Sequence, residues 1–444
     1  MRVLAFLFVL FAAACAAAPP PPRGPSLDPA LARDYVRLIL EIGEHEEGYV
    51  DAYYGPPEWQ AEAKAKRRTV AELKTEADRL TAAVGAAGLP APGARRTELV
   101  IFAPDSEAHL LAQRRDFMAW HLRAARARLD MIEGARPAFQ DEAQVLFGIR
   151  PELKPLASYD PVLARIEALV PGPGTLAERV DAFRNRHAVP RDRLDAVMRA
   201  AIAECRRRTL QHIALPADES FTLEFVTGKP WSGYNWYKGG HKSLIQINTD
   251  LPVIVDRAVD LGCHEGYPGH HTHNVLLESR LVERRGFVEF SVYPLFSPLS
   301  FIAEGSSNYG IDLVFPGEER TRFEATTLYP LAGLDPATAP ALARLLTATR
   351  ELQSAQYTIA DAYLAGRIDR DTAIGQMQRY QLYSRARAEQ RLRFVDQYRS
   401  YVINYGLGQD MVRAHVEAAG PTQQARWTAM ERLLSTPMLP TNLK

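Results

Sequence analysis

The ten residues His264-Glu265-Gly266-Tyr267-Pro268-Gly269-His270-His271-Thr272-His273 place a His-Glu dipeptide and three further imidazoles at the end of an apolar, helix-like run. Imidazole nitrogen and carboxylate oxygen are the donors found in hydrolytic zinc sites. In the compact pattern H-E-x-x-H, two His one helical turn apart bind the metal, and the Glu between them takes a proton from the water that the metal activates. Here the spacing is stretched by two positions. At about 100° per residue, His264 and His270 would point roughly 120° apart on a continuous helix, whereas His264 and His271 would share a face about two turns apart. Neither pair closes on one ion without a break in the helix. Pro268 lacks an N–H and clashes with the preceding turn, and Gly269 accepts unusual dihedrals. A kink or widened turn there is expected to bring His270 to the place of the second ligand, with His271 as the alternative. A solvated His-rich loop is the bland reading of the segment, and it has no need of this ordered grouping.

Two imidazoles need a third protein ligand and an open position for water, and carboxylate is the usual complement. Glu304 is the candidate, thirty-four residues after His270 in the otherwise uncharged run Phe301-Ile302-Ala303-Glu304-Gly305-Ser306-Ser307-Asn308-Tyr309-Gly310. A lone carboxylate in an apolar helix is costly to bury unless something neutralises it, which a dication does.

Three segments together resemble one known family. His-Glu-Gly-Tyr-Pro-Gly-His-His is similar to the H-E-x-x-P-G-H-H signature of the bacterial family catalogued as domain of unknown function 885. Ala303-Glu304-Gly305 followed by Tyr309 resembles that family's E-G-W-A-x-Y helix, and Asn404-Tyr405-Gly406-Leu407-Gly408 resembles its late S-Y-x-x-G segment. Members of that family resemble helical zinc metallopeptidases. The resemblance therefore implies a gluzincin-like fold, ligands His264, His270 and Glu304, Zn2+ as the cofactor and Glu265 as general base. Ser306 stands where the family usually has Trp, and Thr272-His273 replaces its common Leu-Gln, departures that bear on the substrate pocket and leave the metal residues intact.

A hydrolysis of this kind also needs a donor for the oxyanion. Tyr405 is the candidate, since a phenol donates without carrying charge and Gly406 and Gly408 allow close backbone approach. Arg399 is a candidate for binding a substrate carboxylate. Cys263 directly precedes His264, yet adjacent helical residues point about 100° apart, so a small buried hydrophobe is the expected role. A disulfide with Cys205 would require an oxidising compartment. Ser220 to Val226 and Ser243 to Asn248 have strand character, with Gly-rich turns between them. An edge strand there could hold an extended peptide beside the ion, or simply close one side of the cleft. Trp231, Tyr234, Trp236 and Tyr237, in the intervening loop, are candidate pocket residues or packing material.

Around these residues the sequence predicts a mainly α fold with a small β-sheet beside the metal helix. Ala-, Leu-, Glu- and Arg-rich stretches with apolar residues every three or four positions cover 28–46, 57–87, 96–132, 174–213, 250–280, 335–366 and 370–416. With 444 residues, 47% of them hydrophobic, the chain can bury a large core. Residues 23–444 are expected to form one helical metallohydrolase domain, divisible into two lobes near 150–173. Balanced charge, 53 basic against 53 acidic residues, gives no reason to expect a nucleic-acid partner; the expected partner is a peptide substrate. Met1-Arg2 and the apolar run Val3 to Ala14 read as a secretory signal, followed by a Pro-rich tether ending at residue 22. Ala12-Ala13-Ala14-Cys15 resembles a lipobox, with cleavage in Ala16-Ala17-Ala18 as the alternative. The expected place is the periplasm, held to the outer membrane by a lipid anchor at Cys15 as the one membrane contact.

Overall fold

Proline and glycine divide the periodic stretches into more and shorter helices than periodicity alone indicates. The computed structural model describes residues 27–86 and 106–443 and is mainly helical with small sheets. The expected signal, tether and Cys15 lie outside the described residues, as do positions 96–105 of one expected helix. Helix α1 (Pro29–Gly43) begins at Asp28, whose carboxylate accepts from the Ala30 N–H at 2.9 Å. Strand β1 (Val50–Tyr53) follows. The stretch 57–87 is two helices, α2 (Pro57–Lys66) and α3 (Val70–Ala86), because Arg67 between them is left-handed. After α4 (Glu107–Ile132) come two helices that none of the expected helical stretches covers, α5 (Phe139–Phe147) and α6 (Asp160–Leu169). Closely spaced prolines hide their periodicity, and Pro161 falls in the first turn of α6, where a missing N–H costs nothing. Helix α7 (Leu176–Asn185), opened by a Thr175–Glu178 capping box, and α8 (Leu194–Thr209) share the next stretch on either side of Pro190.

The sheet beside the site has three strands where two were expected. Strands β2 (Ser220–Val226), β3 (Gly233–Gly239) and β4 (Lys242–Asn248) run in the order β2-β4-β3, with β4 parallel to β2 and antiparallel to β3. The aromatic segment read as a loop is thus largely strand β3, as its β-favouring Tyr234, Trp236 and Tyr237 suit. Gly240 and His241 both take positive φ, 58° and 60°, in the two-residue turn that joins β3 to β4.

Helix α9 (Val255–Leu261), a π-helical turn over Gly262–Gly266 and α10 (His270–Leu276) carry the motif. Strand β5 (Val292–Pro294) pairs antiparallel with β1. Then comes α11 (Pro298–Val314), buried on nearly every side. The short helices α12 (Glu319–Phe323) and α13 (Tyr329–Ala332) precede α14 (Ala339–Arg350), α15 (Ala355–Leu364) and α16 (Arg370–Tyr380). Helices α17 (Arg385–Tyr398), α18 (Ile403–Glu417) and α19 (Gln423–Leu434) complete the chain. One cluster of buried apolar residues extends from Leu27 to Leu443, and a smaller one packs Val275, Tyr293, Leu299 and Ala303 together. Helices α11 and α18 cross with backbone against backbone, since a Cβ on Gly305 would stand 2.6 Å from the Gly408 carbonyl. Any larger residue at this crossing would push the site-bearing face of α18 away from Glu304. No described helix is long and apolar enough to cross a membrane.

Candidate metal centre

The break in the motif helix has two parts. The π-helical turn over Gly262–Gly266 widens the spiral, and Tyr267 then runs extended into a cis bond to Pro268. The chain doubles back so tightly that a Cβ on Gly269 would stand 1.7 Å from the His264 carbonyl oxygen, a position only glycine can fill. Helix α10 starts immediately afterwards, at His270. The two extra residues are absorbed in this turn, and the His264 and His270 Nε2 atoms come to 3.2 Å.

Glu304 reaches the same point from α11. Its Oε2 lies 3.1 Å from His264 Nε2 and 3.7 Å from His270 Nε2 and is buried, and among the described residues no group makes a hydrogen bond of good geometry to it. Ligands held about 2.0–2.2 Å from a tetrahedral zinc stand roughly 3.3–3.6 Å apart, so the spacing of these three donors fits a single divalent ion. One Glu265 carboxylate oxygen also falls within 4.8 Å of both imidazoles. Glu304 has the shorter contacts to the two imidazoles, and Glu265 lies beside them.

Neighbouring side chains hold the donors in orientation. Asn308, one turn after Glu304 on α11, donates from Nδ2 to the Tyr405 carbonyl at 3.1 Å, which leaves its Oδ1 to accept from His264 Nδ1 at 3.0 Å. That bond sets the tautomer whose bare Nε2 can bind a metal. The Tyr401 hydroxyl donates to Glu304 Oε1 at 2.8 Å. Without an ion, burial alone would raise the Glu304 carboxyl, but His270 and His264 outweigh it and hold the carboxyl well below its usual range. Burial likewise opposes charge on His270, and Glu304 overrides it, lifting the imidazole to about 9. Glu265 is raised, chiefly by burial, in the direction that suits a base.

The structure separates His271 from this cluster. Both its nitrogens are engaged and the side chain is fully buried, Nδ1 at 2.8 Å from Ser243 Oγ and Nε2 at 2.9 Å from Glu219 Oε2. Burial would raise Glu219, but bonds from His271, Tyr267 and Arg206 draw its carboxyl down to about 2. Two further expectations are corrected. Cys263 is bonded to Cys205 of α8 in a disulfide instead of packing as a free thiol. Their separation of 58 residues makes the bridge worth about 4 kcal/mol in the chain-entropy account. Arg399 turns away from the cluster and is tied to Glu142 of α5, Nε to Oε2 at 2.6 Å, because the chain reverses at its positive φ between α17 and α18.

The donors open into a cavity of about 430 Å³, within the usual range for ligand sites. Tyr405 lines it, with its ring centre 6.3 Å from that of His264 and its hydroxyl forming no hydrogen bond with the described residues. Gly233 and Tyr234 bring β3 to the cavity beside Trp231, which precedes the strand, and Asn235 donates to the Glu265 carbonyl at 2.6 Å. Trp236 and Tyr237 do not line it. Sequence reasoning missed Asn308, which sits four residues after Glu304 on the same helix face, and Tyr401, which lies in the 3-10 turn Arg399–Val402 before α18. It also missed Asp51 of β1, which takes the Tyr234 hydroxyl hydrogen bond and whose carboxyl burial raises to about 6. No local pattern announces that residue.

No protein-family model matches the sequence, and no curated protein does. The fold has solved relatives. A structure from Colwellia psychrerythraea, described as a "putative lipoprotein", aligns with a TM-score of 0.50 at 14% identity over 86% of this chain and 70% of its own. A second, from Shewanella oneidensis and described as a lipoprotein of that kind of unknown function, aligns at 0.44 and 13% identity over 92% of this chain and 83% of its own.

Proposed function

We propose that this protein is an extracytoplasmic zinc-dependent peptidase. The observation that carries the reading is the convergence of His264, His270 and the buried Glu304 oxygen at ligand spacing, with the Glu265 carboxylate beside them. The resemblance to the domain of unknown function 885 family points the same way. A two-His, one-carboxylate set also takes iron(II), and the adjacent free carboxylate favours hydrolysis. When bound, zinc supplies Lewis acidity to a water and to the scissile carbonyl. Glu265 takes the water's proton and returns it to the departing amine. The Tyr405 hydroxyl donates to the oxyanion, and the free edge of β3 holds the peptide backbone in extended form. Asn308 and Tyr401 keep His264 and Glu304 aimed. Dialysis against a chelator is expected to abolish peptide hydrolysis and added zinc to restore it; hydrolysis that survives complete metal removal contradicts the reading.

A second reading is favoured by the solved relatives, whose descriptions name lipoproteins and no activity. In it the protein is an envelope lipoprotein that binds metal or peptide without cleaving it; amide hydrolysis of a non-peptide substrate is a further version of the enzyme reading. Both main readings share the anchor proposed from Arg2, the run Val3 to Ala14 and Cys15. A mature N-terminus at Cys15 carrying two or three acyl chains is the expected mass-spectrometric result, and Cys15→Ser is expected to release the protein from membranes. An unmodified N-terminus beyond Ala16 excludes the anchor and leaves the peptidase reading standing.

A further inference from the structure

Two arginines that line the cavity, Arg387 and Arg391, have no carboxylate at ion-pairing distance among the described residues. Asp51, Glu265 and Glu304 line it at the metal cluster, and Asp256 and Asp260 line it elsewhere together with Arg184, Arg257, Arg387 and Arg391. Arg257 has an anionic partner, Asp260 at 3.0 Å. Among the described residues Arg391 donates only to an amide, Gln356 Oε1, at 2.9 and 2.6 Å, and its guanidinium packs over Phe394 and 5.6 Å from the Tyr405 ring centre. Arg387 has less still. Its guanidinium lies 5.9 Å from the Tyr383 ring centre, and among the described residues no group accepts a hydrogen bond from it and no carboxylate comes within ion-pairing distance. Burial first, and then the charges of Arg184 and Arg257, pull Arg387 down to about 10, with Asp256 the carboxylate that opposes this.

An arginine kept half-buried with no carboxylate at ion-pairing distance is costly. Arg387 and Arg391 stand one turn apart on α17, on the face that also presents Phe394 and Tyr398 to the cavity. Tyr405 stands between that face and the metal cluster, 6.3 Å from the His264 ring centre on one side. An extended peptide spans about 3.5 Å per residue, so a group held by this arginine pair lies a few residues from the cluster.

We propose that Arg387 and Arg391 receive a carboxylate of the substrate, which makes the site selective for short peptides carrying that anion near the scissile bond. The carboxylate is the free C-terminus of the peptide or an acidic side chain next to it. The reaction rests on the peptidase reading, but the binding does not, and the test separates the two.

Binding is measured by calorimetry on the zinc-loaded Glu265→Gln protein, with N-acetyl-dialanine, its C-terminal amide, and N-acetyl-alanyl-glutamic acid α-amide. The free acid is expected to bind about 10- to 100-fold more tightly than the amide, the worth of a charged hydrogen-bonded pair. Arg387→Gln is expected to erase that preference, Arg391→Gln to reduce it, and Arg387→Lys to retain most of it, which guards against a folding defect. Preference for the glutamate-bearing amide, with none between acid and amide of dialanine, assigns the pair to a side-chain carboxylate. Equal binding of all three ligands overturns the proposal, as does an acid preference that persists in the Arg387→Gln, Arg391→Gln double variant. Acid-selective binding by a wild-type protein that hydrolyses nothing upholds the carboxylate site and removes the peptidase reading.

Discussion

Alanine at His264, His270 or Glu304 is expected to lower zinc affinity by more than the roughly 10- to 100-fold that loss of a metal ligand's supporting partner costs. In the proposed centre each of the three supplies a donor atom to a cluster whose members stand 3.1 to 3.7 Å apart, and among the described residues Glu265 is the further carboxylate grouped with the two imidazoles. His271→Ala is expected to fall at or below that 10- to 100-fold range and to weaken the fold, because its bonds go to Ser243 and Glu219. Equilibrium dialysis against a competing chelator reads all four variants. Full zinc occupancy in His270→Ala, with loss in His271→Ala, contradicts the ligand assignment.

Glu265→Gln is expected to keep zinc and fold while lowering turnover about 10²- to 10⁴-fold, the usual worth of a positioned proton acceptor. The amide fills the same volume, and its carbonyl can still accept a hydrogen bond, but it cannot take up the water's proton. Because Glu265 stands within 4.8 Å of the imidazoles, zinc content must be read on the same preparation as activity. Turnover at the wild-type rate removes Glu265 as the base.

What was legible in the sequence followed from local rules. Pro268 and Gly269 announce a break between His264 and His270, because each restricts or frees its own backbone, and the structure places a π-helical turn and a chain reversal there. Glu304 stood out because a lone carboxylate in an apolar helix needs a reason. The mainly α architecture came from apolar spacing, while α5 and α6 were hidden by prolines that serve as helix starts or lie just outside them. Strand β3 was obscured by its flanking glycines, which were read as loop though they shape the hairpin turn. Asp51 and Arg387 were illegible for a different reason. Strand β1 pairs with β5 across more than two hundred residues, and α17 reaches the cavity only through its packing in the core. Arg399 shows the converse error: it is close to Tyr405 in sequence, but a positive φ points it at Glu142.

The claim that the cluster is a peptidase centre is tested most directly by digesting a peptide library with the purified, zinc-replete protein and sequencing the new termini by mass spectrometry, beside Glu265→Gln of equal zinc content. The account predicts cleavage by the wild-type protein, concentrated on short peptides with a carboxylate near the cut, and little or none by the variant. An unchanged library after digestion by a wild-type protein carrying one zinc per chain contradicts it.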